Sequence, residues 1–255
     1  KEYFNNITEL ERKFKQTKIL DPACGSGAFL IKATEIMLEI FKAIQDFKQQ
    51  EGKYKAQRGL KIKSKNEGQL VLAKWNEEEE AREIIENNIY GVDINEESVE
   101  ITKLSLFLKM ARKNKKLTDL SNNIKQGNSL IADELIAGKM AFDWNKEFPF
   151  KFDIVIGNPP YGAEGEGLTE ESYIMFYKKG FELMCEDGLL GFVTPDTWAI
   201  NDNGHEIRDL IRNNLTILKI YDVYKPFEDA KDVWCHIVIL KNRSSNDGSK
   251  YSVKR

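Results

Sequence analysis

Four consecutive residues, Asn158-Pro159-Pro160-Tyr161, have the types and spacing to bind a planar amine. Asn158 offers a side-chain amide oxygen, Pro159 a main-chain carbonyl, and Tyr161 a flat aromatic ring. A primary amine on an aromatic ring needs two acceptors for its hydrogens and a surface on which the ring can stack. The two prolines lack N–H donors and stiffen the segment. A proline-rich turn with a packing tyrosine is the alternative interpretation.

The stretch just before these residues predicts the element that positions them. Residues 152–157 form a short run rich in β-branched side chains, which is typical of a buried parallel strand. Open α/β sheets bind ligands beyond the carboxyl ends of their strands. Proline also favours extended geometry in the residue before it, which directs the side chain of Asn158 outward. We therefore expect Asn158 at the ligand-binding edge of a sheet.

A glycine loop follows the first predicted strand and leads into a long helix. The strand covers residues 18–21, and Gly25 and Gly27 then let the backbone approach a ligand without a Cβ clash. A dinucleotide-binding fingerprint requires a third glycine where Leu30 stands, and its lead-in does not contain Asp21-Pro22. The loop therefore disfavours a nicotinamide enzyme.

The next two predicted strands also end in polar residues. An acid at the end of the second strand, here Asp93, typically binds a ribose diol, with the neighbouring Ile94 against a purine. Asp93 follows Gly27 at far more than the roughly 20 residues of dinucleotide sites, which indicates an insertion. After the strand that begins at Ile124, Asn128 has an amide that can accept from and donate to an adenine edge. The alternatives are a helix-capping acid at Asp93 and an Asn-Ser turn at Asn128.

Composition limits the class of protein and its compartment. The 255 residues suffice for one large α/β domain with a substantial core. A net charge of -3 is a poor electrostatic footprint for a stand-alone DNA binder. Cys24, Cys185 and Cys235 lack paired spacing, which favours a reducing, cytoplasmic setting over a disulfide framework. Cys235 and His236 are neighbours on a predicted strand and point to opposite faces, so we expect no metal site.

The chain divides into three parts. Residues 1–17 predict a charged helical lead-in, residues 18–243 the α/β domain, and residues 244–255 a polar tail. Residues 48–88 indicate an insertion whose first half is basic and whose second half is acidic. A solvated loop and helix pair is the favoured interpretation of this insertion, and contact of its basic half with a nucleic-acid backbone is the alternative. Because the chain begins with Lys1, we expect a fragment of a longer protein.

Periodicity predicts the faces and limits of further elements. An amphipathic helix begins at Ser172 and is predicted to end near Asp187-Gly188. Later strands are predicted at residues 189–193, 217–223 and 233–240. The predicted buried face of the helix after the glycine loop consists of Phe29, Ala33, Ile36, Ile40, Ala43 and Phe47.

Together these residues resemble the amino-methyltransferase family that modifies exocyclic amines of DNA bases. The glycine loop precedes the Asn-Pro-Pro-Tyr motif, as in the gamma order of N6-adenine enzymes, and the chain is similar to the methyltransferase part of type IIG restriction–modification enzymes. The similarity covers nearly the whole chain from Lys18. Four motifs in the same order carry it: Asp21 to Leu30, Gly91 to Ile94, Gly127 to Leu130 and Gly157 to Tyr161.

The resemblance implies a fold, a cofactor, a partner and a role for each motif. The fold is a Rossmann-like methyltransferase fold with a seven-stranded, mostly parallel sheet whose last strand runs antiparallel. The cofactor is S-adenosylmethionine, and the partner is double-stranded DNA with the target base flipped out. Asp93 is implied to bind the ribose, Ile94 and Leu130 the adenine faces, and Asn128 the adenine edge. The methionine end is implied to be lined by Asp21, Pro22, Ala23, Cys24, Gly25 and Gly27.

The sequence departs from the family's pattern in two ways, and two other functions remain as alternatives. The motif that precedes the glycine loop contains a Thr-Pro pair, which residues 1–17 lack. We find no nuclease motif, and we expect the target-recognition domain to be missing from this chain. A methyltransferase acting on a glutamine amide in protein also uses Asn-Pro-Pro-Tyr, though its glycine loop typically lacks the Asp21 to Cys24 lead-in. An inactive scaffold that binds DNA or a partner is the other alternative, against which the intact acceptor set argues.

Overall fold

The computed structural model describes residues 2–57, 76–110, 119–162, 172–226 and 233–243. Within these ranges the chain forms a seven-stranded sheet in the order β3-β2-β1-β4-β5-β7-β6. Strands β1 to β5 pair in parallel, and β7 pairs antiparallel with both β5 and β6. The predicted α/β sheet with its last strand antiparallel is confirmed. The strands are β1 (Ile19–Asp21), β2 (Ile89–Asp93), β3 (Ile124–Gln126), β4 (Phe152–Gly157), β5 (Met184–Pro195), β6 (Leu215–Tyr224) and β7 (Trp234–Asn242).

Helices cover both faces of the sheet. Adjacent residues of a strand point to opposite faces, so Ile19 joins one hydrophobic cluster and Leu20 the other. Helices α2, α3 and α4 pack on the first face, and α7, α8 and an aromatic group from residues 142–152 pack on the second. The helices are α1 (Glu2–Gln16), α2 (Ala28–Gln57), α3 (Glu77–Asn88), α4 (Glu96–Met110), α5 (Glu134–Ala137), α6 (Trp144–Glu147), α7 (Ser172–Leu183) and α8 (His205–Asn214), with 3-10 turns at Gly138–Met140, Asp196–Ala199 and Asp202–Gly204.

The buried face of α2 differs from the predicted one. Ile36, Ile40 and Phe47 are 46%, 43% and 46% exposed, and of the predicted stripe only Ala33 is buried. Apolar residues occur on both sides of this helix, so its sequence fits two neighbouring stripes, and packing against other helices selects one of them. On the selected side, the ring of Phe41 stacks on Phe14 of α1, with ring centroids 6.0 Å apart. The buried stripe is Leu30, Ala33, Met37, Phe41 and Ile44.

Helix α3 corrects the interpretation of residues 48–88 as a solvated loop and helix pair. Most of its acidic residues face solvent, but Ala81, Ile84 and Ile85 are buried. Ile84 and Ile85 belong to the hydrophobic cluster that also contains the buried residues of α2. The buried Asn88 donates from Nδ2 to the carbonyl oxygen of Thr17 (2.6 Å), just beyond the end of α1. Helix α2 extends into the first half of this stretch and ends at Gln57. Residues 58–75, which contain the rest of the basic residues of that half, lie outside the described residues. Helix α3 is therefore part of the core.

Two further parts of the chain differ from the prediction. Helix α7 ends at Leu183, and β5 begins at Met184, where it pairs with Phe152 of β4. Helix α8 was not predicted, although Ile207 and Ile211 are spaced for one buried face. Helix α1 lies within residues 1–17, where the sequence predicted a helical lead-in, and residues 244–255, predicted as a polar tail, lie outside the described residues.

Candidate active site

The predicted site residues meet where the sheet reverses its strand order. Strand β1 lies between β2 and β4, with Asp21 beside Gly91 and Leu20 beside Val155. The carboxyl ends of β1 to β4 therefore share one edge, and open α/β sheets bind ligands at such a switch point. The site residues predicted from the sequence lie at these four strand ends or in the loops that follow them.

The glycine loop has a backbone that requires glycine. Gly25 and Gly27 have φ values of +52° and +82°, in the left-handed region. A Cβ on Gly27 would lie 2.8 Å from the side chain of Thr102, and Thr102 Oγ1 donates to the carbonyl of Gly25 (2.8 Å). Thr102 is fully buried on α4, so a neighbouring helix fixes the loop. Thr102 was not predicted as a site residue, because a threonine inside a helix belongs to no motif.

Asp93 binds the glycine loop directly. Its Oδ2 accepts the main-chain N–H of Gly25 (2.8 Å), and its Oδ1 accepts the N–H of Asn95 (2.9 Å). The helix-capping role belongs to Asn95, whose Oδ1 accepts from Glu97 N at the start of α4 (2.8 Å). Each carboxylate oxygen of Asp93 retains acceptor capacity, so the side chain can hold the loop and still accept from a diol. Ile94 beside it is 54% exposed.

The loop after β3 is hydrogen-bonded to the start of the glycine loop. Asn128 Oδ1 accepts the N–H of Leu130 (3.0 Å), which is the turn that the alternative interpretation described. A contact of Asn128 with a base edge would therefore rely on its Nδ2 donors or on the second lone pair of Oδ1. The buried Ser129, which the sequence suggested only as part of a turn and a motif, donates from Oγ to the carbonyl of Pro22 (2.6 Å) and accepts at its own carbonyl from Trp144 Nε1 (2.9 Å).

The carboxyl group of Asp21 joins the glycine loop to the Asn-Pro-Pro-Tyr segment. Asp21 is buried, and its Oδ1 accepts the N–H of Ala23 (3.0 Å). A Cβ on Gly157 would lie 2.6 Å from Asp21 Oδ1, so only glycine allows β4 to end this close. Burial raises the pKa of Asp21 to about 7, and the negative charge of Asp93 contributes in the same direction. Cys24 is buried next to it, and burial raises the pKa of its thiol, which excludes a thiolate nucleophile there.

Tyr161 contributes a hydroxyl group to the site as well as a ring. The half-buried Tyr161 donates from Oη to Asn158 Oδ1 (2.7 Å), and Cys235 Sγ on β7 donates to Tyr161 Oη (3.7 Å). Burial raises the pKa of Tyr161, so the phenol keeps its proton. Asn158 Oδ1 has two lone pairs and keeps one for a further donor. Cys235 was predicted only as an unpaired strand cysteine, and no local signal connects it with Asn158.

The described residues lack two features that other classes of protein have. No cluster of three or more His, Cys, Asp or Glu side chains in this part of the chain could hold a metal ion. None of the described helices is long and apolar enough to cross a membrane.

The sequence matches a known family over more than half of its length. Residues 87–228 match the sequence model of a family described as Eco57I restriction-modification methylase. Over 290 aligned residues the chain is 26% identical to the type II restriction enzyme and methyltransferase RM.Eco57I of Escherichia coli, an alignment that covers 99% of this chain and 27% of that protein. The chain thus spans about a quarter of the length of this relative.

Solved structures of restriction–modification enzymes share the fold. A nuclease-deletion mutant of the type ISP enzyme LlaGI, in complex with a DNA substrate mimic, superposes with a TM-score of 0.61 at 13% identity, covering 90% of this chain and 21% of that one. The type IIL enzyme MmeI in complex with DNA gives a TM-score of 0.58 at 17% identity, covering 94% of this chain and 33% of that one. Likeness at these identities establishes the Rossmann-like fold.

Proposed function

This chain belongs to the Eco57I restriction-modification methylase family, and we propose that it transfers a methyl group from S-adenosylmethionine to the N6 amine of a flipped-out adenine in DNA. The single observation that carries the proposal is the contact between the two halves of the site. Gly157 lies against the Asp21 carboxyl group, so the acceptors of Asn158 and Pro159 follow directly beside the glycine loop. A cofactor on that loop and an amine on those acceptors would be neighbours.

The glycine-loop side of the site fits S-adenosylmethionine. A Cβ on Gly25 would meet no atom within 4 Å, so the loop faces open space, and the carboxylate of Asp93 lies at its base. The exposed Ile94 provides an apolar face for adenine, and the buried Asp21 provides an acid for the cationic methionine end. When bound, this cofactor supplies an electrophilic methyl group on a sulfonium.

The residues at the end of β4 make the amine nucleophilic. The lone pair of an aromatic amine is delocalised into its ring. Asn158 Oδ1 and the Pro159 carbonyl would accept the two amine hydrogens, which favours a pyramidal nitrogen with a localised lone pair. The lone pair would then bond to the methyl carbon while the bond from that carbon to sulfur breaks, leaving a neutral thioether, and the cationic methylated amine would lose its proton to water. The barrier falls mainly through positioning and preorganised acceptors.

The substrate in this proposal is DNA whose target base has left the duplex. Flipping a base costs a few kcal/mol, and stacking on an aromatic ring returns about 1–3 kcal/mol. Tyr161 is half-buried beside Asn158 and would provide that ring. The DNA complexes named for LlaGI and MmeI support DNA as the partner. A protein-glutamine acceptor finds no support among the relatives.

Labelled cofactor tests this function directly. The chain is incubated with methyl-labelled S-adenosylmethionine and with either duplex DNA or protein acceptors. Digested DNA should contain labelled N6-methyladenine. The Asn158→Ala variant should lose at least about 100-fold in rate, as when a preorganised transition-state contact is removed, while it still binds the cofactor.

The matched control is Asn122→Ala, which truncates an exposed asparagine just before the amino end of β3 and should retain full transfer. Label in protein but not in DNA would show a glutamine-type acceptor. Cofactor binding with no transfer to either acceptor would favour the inactive scaffold. Transfer by Asn158→Ala within a few-fold of the unmodified protein would refute the role of Asn158.

A further inference from the structure

We infer that Cys235 is a positioning residue for methyl transfer, because its thiol holds the Tyr161 hydroxyl, which in turn sets the orientation of the Asn158 amide. This inference rests on the proposed function. It assigns a role to a residue of the antiparallel strand β7, outside the four motifs that the family resemblance is built on. Cys235 touches neither substrate nor cofactor in this role and acts only through Tyr161.

The direction of the hydrogen bonds follows from which atoms can donate. Asn158 Oδ1 has no hydrogen, so the Tyr161 hydroxyl proton must point at it over the 2.7 Å contact. The phenolic oxygen is then left with lone pairs, and one of them accepts the thiol of Cys235 (3.7 Å). The chain of donors therefore runs from Cys235 through Tyr161 to Asn158.

The sheet fixes the position of the first donor. Cys235 is fully buried and lies between two strands, opposite Pro195 of β5 and Val223 of β6. Because β7 is antiparallel, its amino end lies at the edge where the parallel strands have their carboxyl ends. Cys235 is the second residue of β7, so it lies at this edge of the sheet.

The amide orientation decides whether Asn158 attracts or repels the amine. Rotated by half a turn, the amide would present its NH2 group to the amine hydrogens, and two donors would face each other. The Tyr161 hydroxyl opposes this rotation while its proton points at Oδ1. The Cys235 thiol keeps that proton in place, because turning the hydroxyl toward sulfur would bring two hydrogens together.

Both donors keep their protons. Burial raises the pKa of the Tyr161 phenol and the pKa of the Cys235 thiol above their ordinary values. Both hydrogen bonds of this chain of donors are therefore present at neutral pH, and one lone pair of Asn158 Oδ1 is left for the target amine. A ring that served only for stacking would need neither hydrogen bond.

The test is a double-mutant cycle on transfer rates. Cys235→Ala and Tyr161→Phe should each lower kcat by about two- to tenfold, the range expected for one side-chain hydrogen bond. The double variant should be no slower than Tyr161→Phe, because the thiol acts only through the hydroxyl. The Kd for S-adenosylmethionine should stay unchanged in all three. Cys235→Ser keeps a donor and should recover most of the lost rate.

The matched control is Cys185→Ala, since Cys185 is a partly buried thiol at the start of β5 that lies near Asp153, away from the site. It should leave kcat unchanged. Independent, multiplying effects of Cys235→Ala and Tyr161→Phe would overturn the inference, and so would a Tyr161→Phe variant as fast as the unmodified protein. A faster Tyr161→Phe variant would show that the hydroxyl competes with the amine and would also overturn it.

The failure of the inference can be told apart from the failure of the proposed function. If the unmodified protein binds cofactor but transfers nothing to DNA, the function is wrong and the inference falls with it. If the unmodified protein methylates DNA and the cycle shows no coupling, only the inference is wrong. Unfolding midpoints of the variants show whether a loss of rate comes from a loss of folded protein.

Discussion

Tyr161 shows how one hydrogen bond changes the expected result of a substitution. Its ring alone predicts that Tyr161→Phe leaves transfer intact and that Tyr161→Ala impairs it, because a flipped base stacks on a ring. The 2.7 Å contact from its hydroxyl to Asn158 Oδ1 predicts a loss in both variants. The sequence contains the ring and the hydroxyl, but only the structure shows which of them touches the acceptor.

Asp93 should contribute to cofactor affinity in two ways. Asp93→Ala removes the acceptor for the Gly25 N–H and the proposed acceptor for the ribose, so it should weaken S-adenosylmethionine binding by about 1–2 kcal/mol or more. Calorimetry on the folded variant measures this change. Asp46→Ala, which truncates an exposed acid on α2, is the control and should bind normally. An unchanged affinity of Asp93→Ala for S-adenosylmethionine would contradict both contributions to cofactor binding, through the glycine loop and through the ribose.

The buried Asp21 predicts a pH dependence of stability. Its pKa is raised by burial from 3.8 to about 7, so the folded state holds the proton longer than the unfolded state. Below pH 4 both states are protonated and the group has no effect. As pH rises from about 4 to 7, the unfolded state ionises first, and stability falls by up to about 1.4 kcal/mol per pH unit before levelling off above pH 7.

Asp21→Asn removes this ionisation and keeps an acceptor for the Ala23 N–H. The variant should match the unmodified protein in free energy of unfolding near pH 4 and exceed it at pH 8, by a few kcal/mol at most. Urea denaturation at the two pH values measures the difference, with Asp46→Asn as the control. An equal difference at both pH values would show that Asp21 does not titrate in this window.

At the scale of elements, the position of β7 in the sheet and the burial of α3 could not be predicted from the sequences of these two elements. Strand β7 enters the sheet between β5 and β6 and brings Cys235 to the active-site edge. Helix α3 looks like a solvated acidic segment, yet its apolar side is packed in the core. Both follow from pairing with distant parts of the chain.

The burial of α3 predicts that its apolar face is needed for folding. Ile85 is fully buried, so Ile85→Ala should lower the free energy of unfolding by about 2–5 kcal/mol. Ile36→Ala removes the same atoms from α2, where the side chain is 46% exposed, and should change stability by no more than about 0.5 kcal/mol. Urea unfolding of both variants is the measurement. Similar losses in the two would contradict the packing described for α2 and α3.

At the scale of the whole molecule, charge limits what this chain does with DNA on its own. It carries 38 basic and 41 acidic residues, whereas affinity for DNA comes largely from lysine and arginine contacts to phosphate. Sequence is read by side chains that reach base edges. The chain also covers 27% of the relative RM.Eco57I.

We therefore expect this chain alone to bind DNA weakly, with a steep dependence on salt and no preference for sequence. The dissociation constant should lie at about 1 μM or above near 150 mM salt, as for non-specific binding. Fluorescence titration with competitor DNA measures it, and a scrambled duplex is the control. Nanomolar binding to one sequence and not to its scrambled version would place recognition within these residues.

The sequence alone predicted the fold class and the residues of the candidate site. Glycines at φ above 0, an acid after a strand and an Asn-Pro-Pro-Tyr turn are local features, and each depends on a few neighbouring residues. Their order along the chain was enough to predict a mostly parallel sheet and to name Asp21, Asp93, Asn128 and Asn158 at one edge. The backbone needs only those residue types at those places, so sequence alone could specify them.

Tertiary structure decided which side chains touch. Two apolar stripes fit the sequence of α2, and packing against α1 and its neighbours selected the one that contains Met37 and Phe41. Thr102 contacts the glycine loop from helix α4, and Cys235 contacts Tyr161 from a strand 74 residues further along the chain. Such contacts depend on strand order and register, which many distant residues set together, and no local spacing records them.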